Sequence, residues 1–160
     1  MPTMRRNRQY WATPVLGVAI GAANSHVVGL LGDLAFLHDA SGLVTASSLG
    51  LGVTFVVVDN GGGGIFEFLP QAQRLDRGAF ELLFGTGQNV DIVALSRALG
   101  FDAAEISGRE ELAAALRAVP VGPRVIVVRT DRVANVGVHN EIYAAVSRAV
   151  LARGAVKENA

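Results

Sequence analysis

No cysteine occurs anywhere in the chain. Its absence removes disulfides, thiolate nucleophiles and cysteine-ligated zinc, and it is the composition expected of a reducing, cytoplasmic compartment. Lysine is almost as scarce: Lys157, close to the carboxyl end, is the sole one, and every other basic residue is arginine. A P-loop lysine or a Schiff-base lysine in the body of the chain is thereby excluded. An excess of either charge is also missing. Basic and acidic residues number 14 each, so neither nucleic acid nor an anionic membrane is implied as a partner. No apolar run is long enough to span a bilayer, and no internal repeat is present.

What is there is a chain of 160 residues, 51% of them hydrophobic, enough for one domain with a core of ordinary size. Val27 to Leu31 and Val53 to Val58 are short runs of Val, Leu and Phe bounded by Gly and Asp. They predict neighbouring parallel strands of a sheet covered on both faces. Each run ends in a predicted loop, Gly32-Asp33-Leu34 and Asp59-Asn60-Gly61-Gly62. In an open α/β sheet the carboxyl ends of the strands are where ligands bind. A carboxylate (Asp33) and an amide oxygen (Asn60) at that edge suit a hard cation such as Mg²⁺, held by a few protein oxygens together with substrate phosphates. The glycines that follow let the backbone approach a diphosphate.

The remaining elements read in order as follows. Val15 to Ala23, preceded by Arg5, Arg6 and Arg8, imitates a signal peptide. The preferred reading is a helix of small residues (Gly17, Ala19, Gly21, Ala22, Ala23) packed closely on the sheet. His38 to Ser48 is a crossover helix of the kind a βαβ unit requires. Ile65, Phe66 and Leu69 line a helical turn that Pro70 helps to end, and Gln71 to Gln88 is a loop-rich excursion with apolar Phe80, Leu82, Leu83 and Phe84. Asp91 caps a helix running to Leu99, stopped by Gly100. Ser107 and Glu110 have the spacing of a capping box for a helix through Ala118. Arg124 to Arg129 is a last strand, and Val138 to Leu151 a last helix with Ile142, Ala145, Val146 and Val150 inward.

Taken singly, several of these residues have plainer explanations. Asp33 alone would be a turn residue, and Ile65, Phe66 and Leu69 alone would be core. The glycine run does not make a dinucleotide fingerprint, because Phe66 stands where the third, small residue is needed. His26, His38 and His139 lack metal-ligand spacing and read as structural or surface residues.

Gly32-Asp33-Leu34, followed at position 60 by an Asn that ends the second strand, resembles the motif of the thiamine-diphosphate enzymes. The longer stretches from Gly32 to Asp39 and from Asp59 to Pro70 are similar to the MenD (SEPHCHC synthase) family within that group. Phe84-Gly85-Thr86, Val90-Asp91 and Thr130-Asp131-Arg132 with Asn135 and His139 fall in the same order. The likeness runs from about Gly17 to Leu151 and fails before it, where Arg8 to Pro14 replaces the family's glycine-rich segment. The resemblance implies a three-layer parallel α/β sheet, the diphosphate-binding domain of a transferase of menaquinone biosynthesis, over 15–152. A divergent basic segment at 1–14 precedes it and a flexible tail at 153–160 follows.

It further implies thiamine diphosphate with Mg²⁺ or Mn²⁺ as cofactors and Asp33, Asn60 and the Gly62 carbonyl as metal ligands. Gly32, Leu34, Gly63, Ile65, Phe66 and Leu69 would complete the cofactor site, the last three as an apolar surface beside the reactive centre. No catalytic side chain is expected here, because the family's activating Glu lies on an amino-terminal domain contributed by a partner subunit. The complete enzyme would be a homo-oligomer acting on 2-oxoglutarate and isochorismate, and this chain alone would turn over little and expose apolar surface around Phe80 to Phe84 or Ile65 to Leu69. Two alternatives stay open: a carboligase of the acetolactate-synthase type, against which the stretch Leu34 to Asp39 speaks, and a non-catalytic remnant that binds cofactor or assembles.

Overall fold

A computed structural model describes residues 12–22 and 25–157. Arg5, Arg6, Arg8, Ala23, Asn24 and most of the divergent first segment lie outside the described residues. The elements in chain order are α1 (Ala12–Gly21), β1 (Val27–Gly32), α2 (Asp33–His38), α3 (Ala40–Ser48), β2 (Val53–Asp59) and a 3₁₀ turn (Gly64–Phe68). They continue with α4 (Gln71–Arg74), α5 (Arg77–Phe80), a π-helical turn (Glu81–Gly85), α6 (Ile92–Ala98), β3 (Asp102–Glu105), α7 (Arg109–Arg117), β4 (Arg124–Arg129) and α8 (Arg132–Lys157). These elements divide into two compact units. Of the described residues, the first holds those up to Gly62 and Gly87–Thr130, and the second Gly63–Thr86 and those from Asp131.

The first unit is built on a four-stranded parallel sheet in the order β1-β2-β4-β3. β2 is central because its sequence suits burial on both faces: Val53, Thr54, Phe55, Val56 and Val57 are all buried. One face of the sheet carries the core, where Phe36, Phe55 and Phe101 form a chain of ring contacts at 6.3 and 6.2 Å. Full burial of each such ring contributes about 1.5 to 3 kcal/mol. Helix α1 closes that face over β1, and Gly29 permits the approach, since a Cβ there would lie 2.8 Å from the Val15 side chain. The close helix–sheet contact expected of this small-residue segment is therefore found. The amino end of α1 is held by a residue the sequence did not single out: buried Asp39 accepts from the Thr13 N–H at 2.7 Å and from its hydroxyl at 2.9 Å.

Several expectations are corrected. Gly32-Asp33-Leu34 is not a loop, since Gly32 ends β1 and Asp33 opens α2 directly. The helix expected from His38 to Ser48 is α3, which starts at Ala40; a separate short helix, α2, precedes it and ends at His38. β3 was not expected at all, because only Ala103 of its four residues is buried and the strand has no apolar run to announce it. Asp91 caps α6 as expected, accepting from the Ala94 N–H at 2.9 Å, and Gly100 at φ +85° ends that helix. The capping box does not form: α7 begins at Arg109 after Gly108, and no side chain caps it.

The segment Gln71 to Gln88, which lies in the second unit as far as Thr86, is largely helical rather than loop-rich. The acid Glu67, in the middle of the apolar stretch Ile65 to Leu69, is buried and decides the packing. Arg77 grips it with two hydrogen bonds of 3.0 and 2.8 Å, and Arg132 of α8 lies 3.1 Å away. Both arginines also reach Glu81. Phe80 is buried beneath this cluster, stacked on Phe84 at 5.5 Å with the Arg77 guanidinium 5.1 Å above it. The four residues expected to face inward from the last helix, Ile142, Ala145, Val146 and Val150, are all exposed.

Candidate functional site

The pairing of Gly32 with Val58 brings the ends of β1 and β2 to one level of the sheet. From there the chain turns differently on each strand. After β1 it enters α2, and the first side chain past the strand, Asp33, is only 5% exposed. After β2 it enters the loop Asn60-Gly61-Gly62, where φ values of +73° and +131° at Gly61 and Gly62 are accessible to glycine alone without strain. This turn aims the Gly62 N–H at Asp33 Oδ2, 2.7 Å away, while Oδ1 of the same carboxylate accepts from the Leu34 N–H at 2.8 Å. Asp33 thus ties the two strand ends together. Asp59 closes the loop from the other side, accepting from the Gly61 N–H at 3.2 Å and lying 3.5 Å from Arg129.

Two features of this edge are costly for the chain by itself. Asp33 is a buried carboxylate with no cationic side chain bonded to it among the described residues. Burial pushes its pKa above the ordinary value, the N–H bonds from Leu34 and Gly62 oppose the rise, and the nearby charge of Asp59 adds to it. The second feature is Asn60 Oδ1, which is buried without a hydrogen-bond partner. An unsatisfied buried acceptor costs about 1 to 3 kcal/mol. A cation would relieve both. One carboxylate, one amide oxygen and a nearby backbone carbonyl form an all-oxygen donor set of the kind taken by Mg²⁺, Ca²⁺ or Mn²⁺. Among the described residues no group of three or more His, Cys, Asp or Glu forms a competing metal cluster.

The other candidates divide between the units. Gly32 and Leu34 flank Asp33, whereas Gly63, Ile65, Phe66 and Leu69 belong to the second unit. There Ile65 and Leu69 are exposed and Phe66 is half-buried, its ring 6.0 Å from that of Phe84. Two of the histidines fill structural roles: His26 Nε2 meets the Thr54 hydroxyl at 3.0 Å, and the His139 ring lies 5.4 Å from that of Phe68, while His38 is exposed at the end of α2. A groove of about 440 Å³ lined by Val119 to Arg124 with Gly100 and Asp102 sits at the amino ends of β3 and β4, the edge opposite Asp33.

A carboxylate and an amide oxygen just past adjacent parallel strands, the second followed by a glycine loop, suit a hard cation, and comparison with known proteins identifies the family. Residues 12–130 match the family model described as thiamine pyrophosphate enzyme, C-terminal TPP binding domain. The chain belongs to this family. Among curated proteins, this TPP-binding domain is 42% identical over 139 residues to the 2-succinyl-5-enolpyruvyl-6-hydroxy-3-cyclohexene-1-carboxylate synthase of Saccharopolyspora erythraea. That match covers 84% of this chain and 25% of the relative. It is 45% identical over 134 residues to the synthase of the same name from Myxococcus xanthus, covering 81% of this chain and 22% of that protein. Among solved structures, benzoylformate decarboxylase from Polynucleobacter necessarius superposes with a TM-score of 0.60 at 26% identity, over 74% of this chain and 22% of that one. The chain spans about a quarter of the length of the curated relatives it matches.

Proposed function

We propose that this chain is the cofactor-binding part of a thiamine-diphosphate-dependent SEPHCHC synthase, the enzyme that decarboxylates 2-oxoglutarate and adds the succinyl unit to isochorismate. The observation that carries the reading is the unpartnered, buried Asn60 Oδ1 in the loop whose Gly62 N–H holds the buried carboxylate of Asp33. Asp33, Asn60 and the Gly62 carbonyl would hold Mg²⁺ or Mn²⁺ and, through it, the diphosphate. Thiamine diphosphate, when bound, supplies the electron sink for decarboxylation and carbon–carbon bond formation. The chain's own contribution is positional. Asp33 is already bonded to the opposite strand end, so metal binding requires little reorganisation of either loop. Ile65, Phe66 and Leu69, two of them exposed apolar side chains, would line the cofactor. In the complete enzyme, a cytoplasmic homo-oligomer, an amino-terminal domain would complete the pocket.

Titration calorimetry of thiamine diphosphate into the chain tests this. Binding is expected with Mg²⁺ present, to disappear on chelation, and to be lost in Asp33→Ala, because the metal would face only neutral protein ligands. Equal affinity in the variant and the wild type would remove Asp33 from the site.

A further inference from the structure

We propose that Arg129 is a positioning residue for the cation site, acting through Asp59; the inference rests on the reading of Asp33 and Asn60 as metal ligands given above. The strand register sets the pair up. Asp59 ends β2 and lies opposite Arg129, the last residue of β4. The Asp59 carbonyl accepts from the Thr130 N–H at 2.9 Å, so the two strand ends leave the sheet together. Beyond this point Gly61 and Gly62 stand at positive φ and have no side chain to hold the loop. The Asp59 carboxylate supplies a hold from outside: Oδ1 accepts from the Gly61 N–H at 3.2 Å, and Oδ2 lies 3.5 Å from Arg129 Nη1. Arg129 is anchored in turn on its far side, where Nε donates to Glu105 Oε2 of β3 at 2.8 Å, and the charge of Asp91 at the amino end of α6 adds to the attraction. With a side chain only 13% exposed, Asp59 depends on a partner for its charge, and among the described residues Arg129 is the cation paired with it.

Repulsion between the two carboxylates at this edge gives the arginine its task. The charge of Asp59 is felt at Asp33. Released from Arg129, Asp59 would turn away from Asp33 and let go of the Gly61 N–H. Asn60 Oδ1 and the Gly62 carbonyl, the two neutral ligands, would then ride on a loop that has to be ordered when the metal binds, and ordering a loop on binding lowers affinity. Arg129 bonds to Asp59 and Glu105 rather than to a proposed ligand, so its effect is on aim and not on coordination. The two roles its charge can play differ in sign. As a bare positive charge near a cation site it would repel Mg²⁺, and removing it would tighten binding. As the holder of Asp59 it keeps the loop in place, and removing it weakens binding.

The Mg²⁺ concentration that gives half-maximal binding of thiamine diphosphate, measured by titration calorimetry on the 160-residue chain, reads this effect. Arg129→Ala should raise it about tenfold, the scale on which residues that orient metal ligands act. The urea midpoint should stay where it is, because the Arg129 side chain is 57% exposed and an exposed ion pair adds little to stability. Asp59→Asn breaks the same link from the other end, so the double variant Asp59→Asn/Arg129→Ala should bind no more weakly than the weaker of the two single ones. Unchanged or tighter Mg²⁺ binding in Arg129→Ala, or losses that add in the double variant, would overturn the proposal. Asp33→Ala, titrated alongside, separates the two readings. If it abolishes binding while Arg129→Ala leaves the Mg²⁺ requirement intact, Asp33 stays a ligand and this inference alone fails. If wild-type binding does not depend on Mg²⁺, the cation site fails and the inference falls with it.

Discussion

Asp33 shows how a candidate ligand can burden the fold that carries it. Burial is the largest influence on its carboxyl and raises the pKa above the ordinary 3.8, with the Leu34 and Gly62 N–H groups pulling the other way and Asp59 adding to the rise. The folded chain therefore holds this proton more tightly than the unfolded chain does. The stability it contributes is complete below pH 3.8 and is lost as the pH rises through the folded-state value. Urea denaturation across that range should show stability falling with pH in the wild type and not in Asp33→Ala. Magnesium with cofactor should reverse the fall, since it supplies the missing positive charge; an unchanged slope in the variant would assign the effect to another group. Asn60 gives the complementary case. Because its buried oxygen has no partner, Asn60→Ala should leave apo stability unchanged or raise it by up to about 1 kcal/mol, while weakening magnesium-dependent cofactor binding at least tenfold. A clear loss of apo stability would mean the oxygen is already satisfied. Both residues were legible in the sequence because each directly follows an apolar strand. Glu67 was not, because its partners Arg77 and Arg132 are distant in sequence and an acid amid Ile, Phe and Leu carries no local sign of either.

At the scale of elements, local signals succeeded where the neighbours were also local. Val27–Gly32 and Val53–Asp59 were legible because a strand buried on both faces must be apolar throughout, and α6 because Asp91 caps it within four residues. β3 escaped notice because its place beside β4 is set by register, Asp102 opposite Arg124, rather than by its own composition. The helix at Ser107 shows the reverse error: the capping-box spacing is there, but the chain enters α7 through Gly108. Close packing makes one element-level prediction. Gly29→Ala would press a methyl group into Val15, a stiff branched side chain, with the Phe55 ring 3.2 Å away. The variant should lose about 1 to 3 kcal/mol, measured by urea denaturation, and a neutral result would mean that α1 lies looser on β1. In the second unit, Glu67→Ala removes the shared acceptor of Arg77 and Arg132. Arg132, only 12% exposed at its side chain, would keep Glu81 as its partner. The expected cost is about 3 kcal/mol, that of breaking a buried pair, and a loss below about 0.5 kcal/mol, typical of an exposed pair, would show that Glu81 suffices.

For the whole molecule, the exposed apolar residues expected around Phe80 to Phe84 and Ile65 to Leu69 are present at Leu82, Leu83 and Ile65. Phe80 itself is buried. A larger exposed stripe runs along α8, whose side chains were expected to face inward. The pattern was read correctly as apolar and its direction wrongly, because periodicity says that a face seeks cover and not whether the cover comes from the same chain. This bears on activity. The chain spans about a quarter of its curated relatives, and the family resemblance assigns the Glu that activates the cofactor's aminopyrimidine to an amino-terminal domain. On the proposed reading, what these 160 residues offer is a place to hold a metal and a diphosphate. Purified alone and supplied with 2-oxoglutarate, isochorismate, Mg²⁺ and thiamine diphosphate, they should release no CO₂ above background. Losing one general acid–base group commonly costs two to four powers of ten, and here the rest of the pyrimidine pocket would be missing as well, so the deficit should exceed that range. An amino-terminal domain added in trans should restore some turnover if the segment before α1 still permits docking. Robust 2-oxoglutarate-dependent CO₂ release by the chain alone would instead mean that a group within it activates the cofactor, and His38, at the end of the helix that Asp33 opens, would be the first residue to replace.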